Sequence, residues 1–560
     1  MGTLTYCLGI KAFGLCTYDP LKPGVVYFTI GEAIGSIALL LAFTQLVTPT
    51  LKFRLRVRRN VAIISAALFA LAFISVVIAA VIPSVLGYVI PILGFPIFWE
   101  VVAAGFIVGG VACLGFIYLR PTKFIERNYK SYFDACMRAV SGGDERELGL
   151  LSEEVGHAAR QIVQAAKRFD VESARRARLA GEQRVATDMP DYAVGLLDLF
   201  SDARFARATV DGSPGTAVAF IRALGHISPG VKVGHSLVQQ LVKQALLSDS
   251  SMLHREEEYD GLGHFKWFTR AVFGDYAIVS GPYRPLQALF YTSGKNVTSD
   301  VTQKYGRALK MALDAYFVSR DFHGRPDALL AAIDEFGKSP RGKVLELRRL
   351  PSSDVFASQA YGVLADIDWA LSQLITLVVD HEGELPNYPF DANNYDRFAD
   401  YSIYGVLAHG VYVYLESLSM ALSHDDTIRD AATVVWQELA FPTRGRGTAI
   451  LEIQKRLLVH LTRKMTGNLE KGHYPMVTRL LISLVGLWDT SNSDPASLDF
   501  ATLKVHELVR DKFAKAFAAD NEKARDMLPE NVSFDENTNE LVEVLRSWKS
   551  ERRFKVKPAR

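Results

Sequence analysis

Residues 60–119 decide the fold of this chain. They read NVAIISAALFALAFISVVIAAVIPSVLGYVIPILGFPIFWEVVAAGFIVGGVACLGFIYL and contain one formally charged side chain, Glu100. A helix of about 20 apolar residues crosses the hydrocarbon core of a bilayer. Val61–Ile82 and Phe98–Leu119 both meet that length, and an earlier apolar run at about Val25–Val47 is interrupted only by Glu32. The sequence therefore predicts three transmembrane helices, and no cleaved signal peptide is expected because the first run starts late.

The charged flanks of these runs predict their orientation. Leu51–Asn60 carries five basic residues and no acidic ones, and the stretch after the third run carries Arg120, Lys123, Arg127 and Lys130. Loops rich in lysine and arginine stay on the cytoplasmic side. Because two spans separate these basic flanks, we expect both inside, the N-terminus outside and the large C-terminal part in the cytoplasm.

Two features fall on the predicted outer side. The connection Pro83–Pro96 holds three prolines and two glycines, and irregular backbone cannot face lipid. It is either an apolar loop at the membrane interface or a re-entrant segment that lines a pore. Cys7 and Cys16 form a disulfide if that side is oxidising, although their spacing alone does not decide this.

Glu32 is the most informative residue of the sequence. It lies roughly 12 Å into the first span at 1.5 Å per residue, and ionisable residues inside membranes are functional candidates. Gly31 and Gly35 flank it in a GxxxG pattern that lets helices approach closely. One interpretation is a cation pathway lined by Gly31, Glu32 and Gly35 of several copies, with Glu100 as a second ring near the outer mouth. The other is that Glu32 and Glu100 lie at the interface in water.

The whole-chain composition hides two unlike parts. Of the 560 residues 49% are hydrophobic and 22% are charged, with 63 basic and 61 acidic side chains, and these totals exclude a disordered or collagen-like chain. Residues 1–120 hold only eight basic and three acidic residues, and the remainder carries a net charge of −3. From about residue 124 onward apolar residues recur at helical spacing and strand-like alternation is scarce. We therefore expect an all-α protein: a bundle of three transmembrane helices followed by a large helical cytoplasmic domain.

This organisation gives five expected segments. They are an extracytoplasmic N-terminus at 1–24, a transmembrane domain at 25–120, helical subdomains at 121–350 and 351–545, and a solvated basic tail at 546–560.

Two cytoplasmic segments are candidate sites for an anionic ligand. In His264–Arg270, Trp267 can stack on a base while Lys266 and Arg270 meet phosphates; the alternative is an amphipathic helix with its phenylalanines in the core. Arg444 and Arg446 precede a helix expected to begin near Ala449, and helix N-termini attract phosphates; the alternative there is an arginine-containing surface loop.

Enzyme motifs are missing from the sequence. It contains no HExxH, GxSxG or complete P-loop motif. His424 and Asp425, with His381 upstream, resemble a metal-dependent phosphohydrolase pair over only two adjacent residues. We therefore expect no enzymatic activity and no cofactor or metal, and an anchored hydrolase is the least favoured hypothesis.

The favoured hypothesis is a ligand-gated oligomeric pore that conducts cations. Three spans cannot enclose a hydrated path in one protomer, so several copies must surround an axis. The alternative is a membrane-anchored scaffold or sensor that recruits partners and conducts nothing.

The layout of a few membrane spans followed by a large helical domain resembles bacterial antiviral defence effectors of the Hailong type, which permeabilise the inner membrane. The resemblance covers the gross arrangement of the chain and no residue motif. It implies a tetrameric inner-membrane channel whose cytoplasmic domain is held inactive by a short DNA oligomer, acting in antiviral abortive infection.

Overall fold

The computed structural model shows a mostly helical chain with few strands, in two compact units, residues 1–227 and 228–560. It describes residues 6–7, 16–17, 35, 48–85, 88–89, 96–169, 179, 187–225, 234–258, 267–291, 297–322, 324, 326–347, 349–351, 353–386, 388, 390, 400, 402–418, 434–435, 439, 447–470, 513, 515, 517–518, 520–525, 528, 532–545 and 550–556. The predicted first span at Val25–Val47, apart from its exposed helical Gly35, lies outside these residues.

Nine helices make up the described part of the first unit. They are α1 (Pro49–Val57), α2 (Arg59–Val85), α3 (Pro96–Leu119), α4 (Tyr129–Gly142), α5 (Glu145–Gly156), α6 (Ala159–Ala166), α7 (Met189–Leu199), α8 (Ala203–Gly212) and α9 (Pro214–Gly225).

Helices α2 and α3 form an antiparallel apolar hairpin and correspond to the second and third predicted spans. The two helices meet at small residues: the Ser65 hydroxyl donates to the Gly110 carbonyl at 3.0 Å, and a Cβ at Gly110 would lie 2.9 Å from the Phe69 ring. Gly105 has open space around it, so this first glycine of a second GxxxG pattern is not used within the hairpin. Both helices are long and apolar enough to cross a membrane.

A small sheet joins the N-terminal segment to the connection between α2 and α3. Strands β1 (Tyr6–Cys7), β2 (Cys16–Thr17) and β3 (Tyr88–Val89) pair antiparallel in that order. Cys7 stands directly opposite Cys16. The segment before the spans and the α2–α3 connection therefore lie at the same end of the hairpin.

Three of the remaining helices of the first unit, α5, α7 and α8, begin at aspartate caps, and the helices pack around an apolar core. Asp144 accepts the Glu147 N–H at 2.7 Å, and Asp202 accepts the N–H groups of Arg204 and Phe205. Side chains of this kind satisfy N–H groups that have no partner inside the helix. The core residues include Phe200, whose ring contacts those of Phe205 and Phe220.

The second unit is also mainly helical in its described part. Its helices are α10 (His235–Leu247), α11 (Met252–Glu258), α12 (Trp267–Phe273), α13 (Tyr276–Ser280), α14 (Ser299–Ser319), α15 (Asp327–Lys338), α16 (Arg341–Leu347), α17 (Gln359–Asp380), α18 (Ile403–Leu418), α19 (Thr448–Glu470) and α20 (Asn521–Arg525), with 3-10 turns at Pro285–Tyr291 and Glu382–Glu384.

Helix α17 is the core helix of this unit, although it too is long and apolar enough to cross a membrane. It packs against α14, α16, α18 and α19. Of its most apolar window 56% is buried inside the protein, compared with 22% for α2 and 17% for α3. Its Asp368 is buried and accepts the backbone N–H groups of Val434 and Val435 at 2.9 and 3.0 Å. Neighbouring protein therefore already covers much of the apolar surface of α17.

Helices α15 and α18 cross at two glycines. A Cβ at Gly337 would lie 2.9 Å from the Gly410 carbonyl oxygen, and one at Gly410 would overlap the Ile333 side chain. The Ser417 hydroxyl also donates to the Gly337 carbonyl at 2.9 Å. The close approach brings residues of α15 and α18 into one cavity, described below.

A second sheet departs from the all-α expectation. Strands β4 (Val532–Asp535), β5 (Glu540–Leu545) and β6 (Ser550–Lys555) pair antiparallel, and β6 lies within the segment expected to be a solvated tail. The register sets Glu543 opposite Arg552 and Glu540 opposite Lys555. Cross-strand pairs of opposite charge stabilise the pairing of β6 with β5. These pairs can be recognised only when the acidic β5 is considered together with the basic tail.

The division between the two units falls at residues 227 and 228, inside the segment 121–350. Helices on both sides of the expected 350/351 boundary pack together in the second unit: α14 and α16 contact α17, and α15 contacts α18.

Candidate functional site

A buried polar cluster, which we call the junction, links the apolar hairpin to the helices that follow it. It consists of Arg54, Arg58, Thr122 and Glu154, with the carbonyl groups at the end of α3. Helix α1 positions the arginines because its apolar side chains Leu51, Phe53 and Val57 are buried, and it packs against α3, α4 and α5.

Arg54 bridges the end of α3 and helix α5. Its Nε and Nη2 atoms lie 3.0 and 2.5 Å from Oε2 of Glu154, and its Nη1 donates to the carbonyls of Ile117, at 3.5 Å, and Tyr118. Arg58 extends the contact by donating to the carbonyls of Phe116 at 3.3 Å and Pro121 at 2.8 Å. The last carbonyls of a helix lack partners within it and carry partial negative charge, so guanidinium groups stabilise this end of α3.

Glu154 anchors the same cluster from α5. Its side chain is only 2% exposed, and its Oε1 accepts the Thr122 backbone N–H at 2.7 Å and the Thr122 hydroxyl at 2.8 Å. The other oxygen accepts Arg54. A buried carboxylate is tolerated when it is paired and fully hydrogen-bonded. If α5 moves relative to α3, these contacts must either break or pull the end of α3 along with α5.

Neither half of this pair is visible as a site in the sequence. Arg54 is counted there as one of five basic residues that orient the spans, and Glu154 lies unremarked in the helical part that follows. They are separated by 100 residues. The one available signal of this site in the sequence was the acidic Glu154 next to Val155, on the apolar face of α5.

The second unit contains a polar cavity of about 620 Å³. It is lined by Ser280, Arg284, Gln287, Asp327, Ala328, Leu330, Ala331, Asp334, Lys338, His409, Val413 and Glu416. At its wall Oδ1 of Asp334 lies 2.9 Å from Nε2 of the buried His409, and Lys338 pairs with Oδ2 of the same carboxylate. Burial acts to raise the pKa of Asp334, but the hydrogen bonds from His409 and Lys338 outweigh it and lower the pKa.

The rim of this cavity has one unusual backbone conformation. Arg284 has φ of 44°, in the left-handed region that non-glycine residues rarely adopt. Gln239 holds it there by donating from Nε2 to the carbonyls of Tyr283 at 3.1 Å and Arg284 at 2.6 Å. The cavity wall therefore carries both positive and negative side chains on a held backbone. Such a lining suits a polar ligand but does not favour an anion over a cation.

The predicted pore-lining residues are only partly described. Gly31 and Glu32 lie outside the described residues, and Gly35 has open space within 4 Å of the point where a Cβ would lie. Glu100 lies in the first turn of α3, is buried at 6% exposure, and has an interaction partner within the protein. The role of this set remains a prediction.

The first candidate ligand segment begins helix α12. Trp267 and Arg270 are exposed on the same side of the helix at a spacing of three residues, and Lys266 lies outside the described residues. Phe268 is buried, as the amphipathic alternative expects. The backbone N–H groups of Phe268 and Thr269 donate to Glu256 at 2.5 and 3.0 Å. The protein's own carboxylate thus occupies this helix end.

The second candidate shows the same arrangement at α19, which begins at Thr448. Arg444 and Arg446 lie outside the described residues, but the Ala449 N–H donates to Oε2 of Glu382 at 3.1 Å. The position expected to hold a ligand phosphate is therefore filled by Glu382, and a ligand would have to displace that carboxylate or bind beside it.

The residues of the hydrolase alternative are not assembled in the described part of the chain. His381 stacks on Phe317 with ring centroids 4.4 Å apart and its Nδ1 lies 2.9 Å from Glu384, while His424 and Asp425 are outside the described residues. Among the residues that the structure describes, no group of three or more His, Cys, Asp and Glu side chains is placed to hold a metal ion.

Comparison with known proteins adds no relative: no family model matches this chain, and neither does any curated protein.

Proposed function

We propose that this chain is a membrane protein that assembles into a gated pore, whose opening is controlled by the helices that follow the apolar hairpin. The junction is the observation that carries the proposal. Arg54 ties the end of α3 directly to Glu154 on α5, so a movement of the helical bundle is transmitted to a predicted membrane-spanning helix.

The apolar surface of the hairpin supports membrane insertion and assembly. More than half of the side-chain surface is exposed at several large apolar residues of α2 and α3, namely Ile63, Ile64, Val101, Val108 and Val111. Exposure of so large an apolar patch to water is unfavourable, and such a patch is typical of a surface covered by lipid or protein. Lipid and further copies of the chain together account for it.

The sheet formed by β1, β2 and β3 supports the proposed three-span topology. Strand β2 ends at Thr17 beside the α2–α3 connection, whereas α1 begins at Pro49 and packs against the opposite end of α3. These described residues therefore lie at opposite ends of the hairpin. Their positions support an extracytoplasmic N-terminus and a cytoplasmic C-terminal part.

The finer features of the proposal come from the sequence. Glu32 favours cations. The candidate ligand sites are the cavity around Asp334 and, separately, the two segments that hold Arg444, Arg446, Lys266, Trp267 and Arg270. Assembly as a tetramer, the inner membrane, a short DNA ligand and a role in antiviral defence follow from the resemblance in layout alone.

Ion flux from liposomes tests this function. Purified protein should release a trapped cation, and Glu154→Gln should change the rate several-fold because it removes the charge that holds Arg54. Glu153→Gln is the matched control, since Glu153 is the exposed neighbour on the same helix. No flux under any ligand condition would contradict the pore. Flux equal in wild type and Glu154→Gln would contradict control through the junction.

A membrane-anchored scaffold is the second candidate. Within Asn60–Leu119 the only charge is Glu100, which is buried, and an apolar run with no exposed charge also fits a plain anchor. Replacing residues 1–120 with an unrelated membrane anchor separates the candidates, because a scaffold retains its cellular activity and a pore loses it.

A further inference from the structure

We propose that a pocket beside the junction binds the phosphate of an anionic phospholipid headgroup. This arginine pocket has a volume of about 430 Å³ and lies between α1, the start of α2 and one face of α4. It is lined by Leu55, Arg56, Arg59, Ser131, Asp134, Ala135 and Arg138. The inference rests on the proposed membrane placement of the hairpin.

The three arginines of the pocket are available to a ligand. Within the described part of the chain, Arg56, Arg59 and Arg138 form no hydrogen bond or ion pair, and all three are exposed. Their neighbours Arg54 and Arg58 instead form the hydrogen bonds of the junction. The four arginines of residues 54–59 thus divide into a pair that forms the junction and a pair that lines the pocket.

The chemistry of the lining suits a phosphate with an apolar attachment. Three guanidinium groups face one carboxylate, Asp134, so the pocket has a net positive charge. Guanidinium groups bind phosphate in a bidentate manner, and the Ser131 hydroxyl supplies a further donor. Leu55 and Ala135 provide an apolar wall for the glycerol and the first part of an acyl chain.

The position of the pocket selects a lipid as the source of that phosphate. Arg59 is the first residue of α2, and the uncharged run starts at the next residue. Arg58 contacts the carbonyls of Phe116 and Pro121 at the end of α3, so both apolar helices terminate here. Basic pockets at this level of membrane helices bind anionic headgroups.

Binding of short-chain lipids to the full-length protein in detergent tests the inference. The probe is dihexanoyl phosphatidylglycerol, with dihexanoyl phosphatidylcholine, inorganic phosphate and a short single-stranded DNA oligomer as comparisons. The test variant carries Arg56→Gln, Arg59→Gln and Arg138→Gln. The control variant carries Lys52→Gln, Lys123→Gln and Arg127→Gln, an equal loss of charge at exposed positions that do not line the pocket.

We expect phosphatidylglycerol to bind at least about ten-fold more tightly than phosphatidylcholine. The test variant should lose at least about ten-fold in affinity for phosphatidylglycerol, while the control variant changes by less than about two-fold. Equal affinities for the two lipids, or an unchanged test variant that elutes and melts like wild type, would overturn the proposal. Displacement of the lipid by equimolar inorganic phosphate or by the DNA oligomer would overturn the lipid assignment. Because binding requires no ion flux, its failure is distinguishable from failure of the pore.

Discussion

At the scale of the residue, Arg54 is the side chain whose loss should cost most in the first unit. Arg54→Gln leaves the Glu154 carboxylate buried without its cation, and breaking a buried pair costs about 3–5 kcal/mol of unfolding free energy. Lys52→Gln, an exposed change on the same helix, should cost less than about 0.5 kcal/mol. Thermal and denaturant unfolding of both variants in one detergent measures the difference. Equal stabilities would show that the junction is not a structural bond.

Asp334 makes a pH-dependent contribution to the second unit. Burial is the largest single influence and opposes its ionisation, but the hydrogen bonds and charge interactions with His409 and Lys338 together outweigh it and lower the pKa below the ordinary value of 3.8. The folded state therefore favours the ionised form. Its contribution is fully present above about pH 4 and is lost as the pH falls through the lowered value.

Asp334→Asn should accordingly flatten the acid limb of the stability curve. Melting temperatures of wild type and variant, measured between pH 6 and 3, should converge at the acid end. Asp354→Asn is the control, because Asp354 is exposed and, among the described residues, its carboxylate accepts a hydrogen bond from the hydroxyl of Ser353 alone, at 2.9 Å. Curves that stay parallel for wild type and Asp334→Asn would contradict the assignment.

At the scale of the element, the crossing of α15 and α18 depends on Gly337. An alanine there would meet the Gly410 carbonyl at 2.9 Å and the Tyr414 nitrogen at 3.2 Å, and backbone atoms cannot rotate away. We expect Gly337→Ala to destabilise the protein by about 1–3 kcal/mol. Gly342→Ala, in helix α16 with open space around it, should be neutral or stabilising by up to about 1 kcal/mol. Denaturant unfolding of the two variants tests this, and the reverse order would contradict the packing.

The pairing of β1 with β2 predicts a disulfide. Directly opposed residues of antiparallel strands have Cα atoms about 4.5–5.5 Å apart, within the range that a disulfide spans, and Cys7 opposes Cys16. Protein that has matured with its N-terminus in an oxidising compartment should yield a linked Cys7–Cys16 peptide under non-reducing mass spectrometry. Cys16→Ser removes it and serves as the control. Alkylation of Cys7 in untreated wild-type protein would contradict the disulfide.

The elements show what the sequence can and cannot predict. The apolar helices α2 and α3 can be predicted because composition alone identifies 20 apolar residues in a row, and α19 because its apolar spacing is regular. Strand β6 is not visible, since a basic segment reads as a tail until the acidic β5 is known to lie beside it. The same limit applies to the sites, because Asp334 and His409 are 75 residues apart and only the crossing at Gly337 brings them together.

At the scale of the whole molecule, the pore requires several copies of the chain. The three proposed spans of one copy cannot surround a hydrated path alone, and much of the hairpin surface is exposed in a single copy. Native mass spectrometry of detergent-extracted protein should therefore show a closed homo-oligomer, with four copies expected from the resemblance in layout. A monomer at all protein concentrations would contradict the pore and favour the scaffold.

Within such a ring, Glu32 should determine ion selectivity. A ring of carboxylates attracts cations and repels anions, so Glu32→Gln should lower the ratio of cation to anion permeability several-fold while flux continues. Reversal potentials under a salt gradient across a planar bilayer measure that ratio. Glu126→Gln removes the same charge from an exposed position after α3 and should leave it unchanged. If Glu32→Gln also leaves the ratio unchanged, the carboxylate does not face the conduction path and span one contributes to the ring only through its glycines.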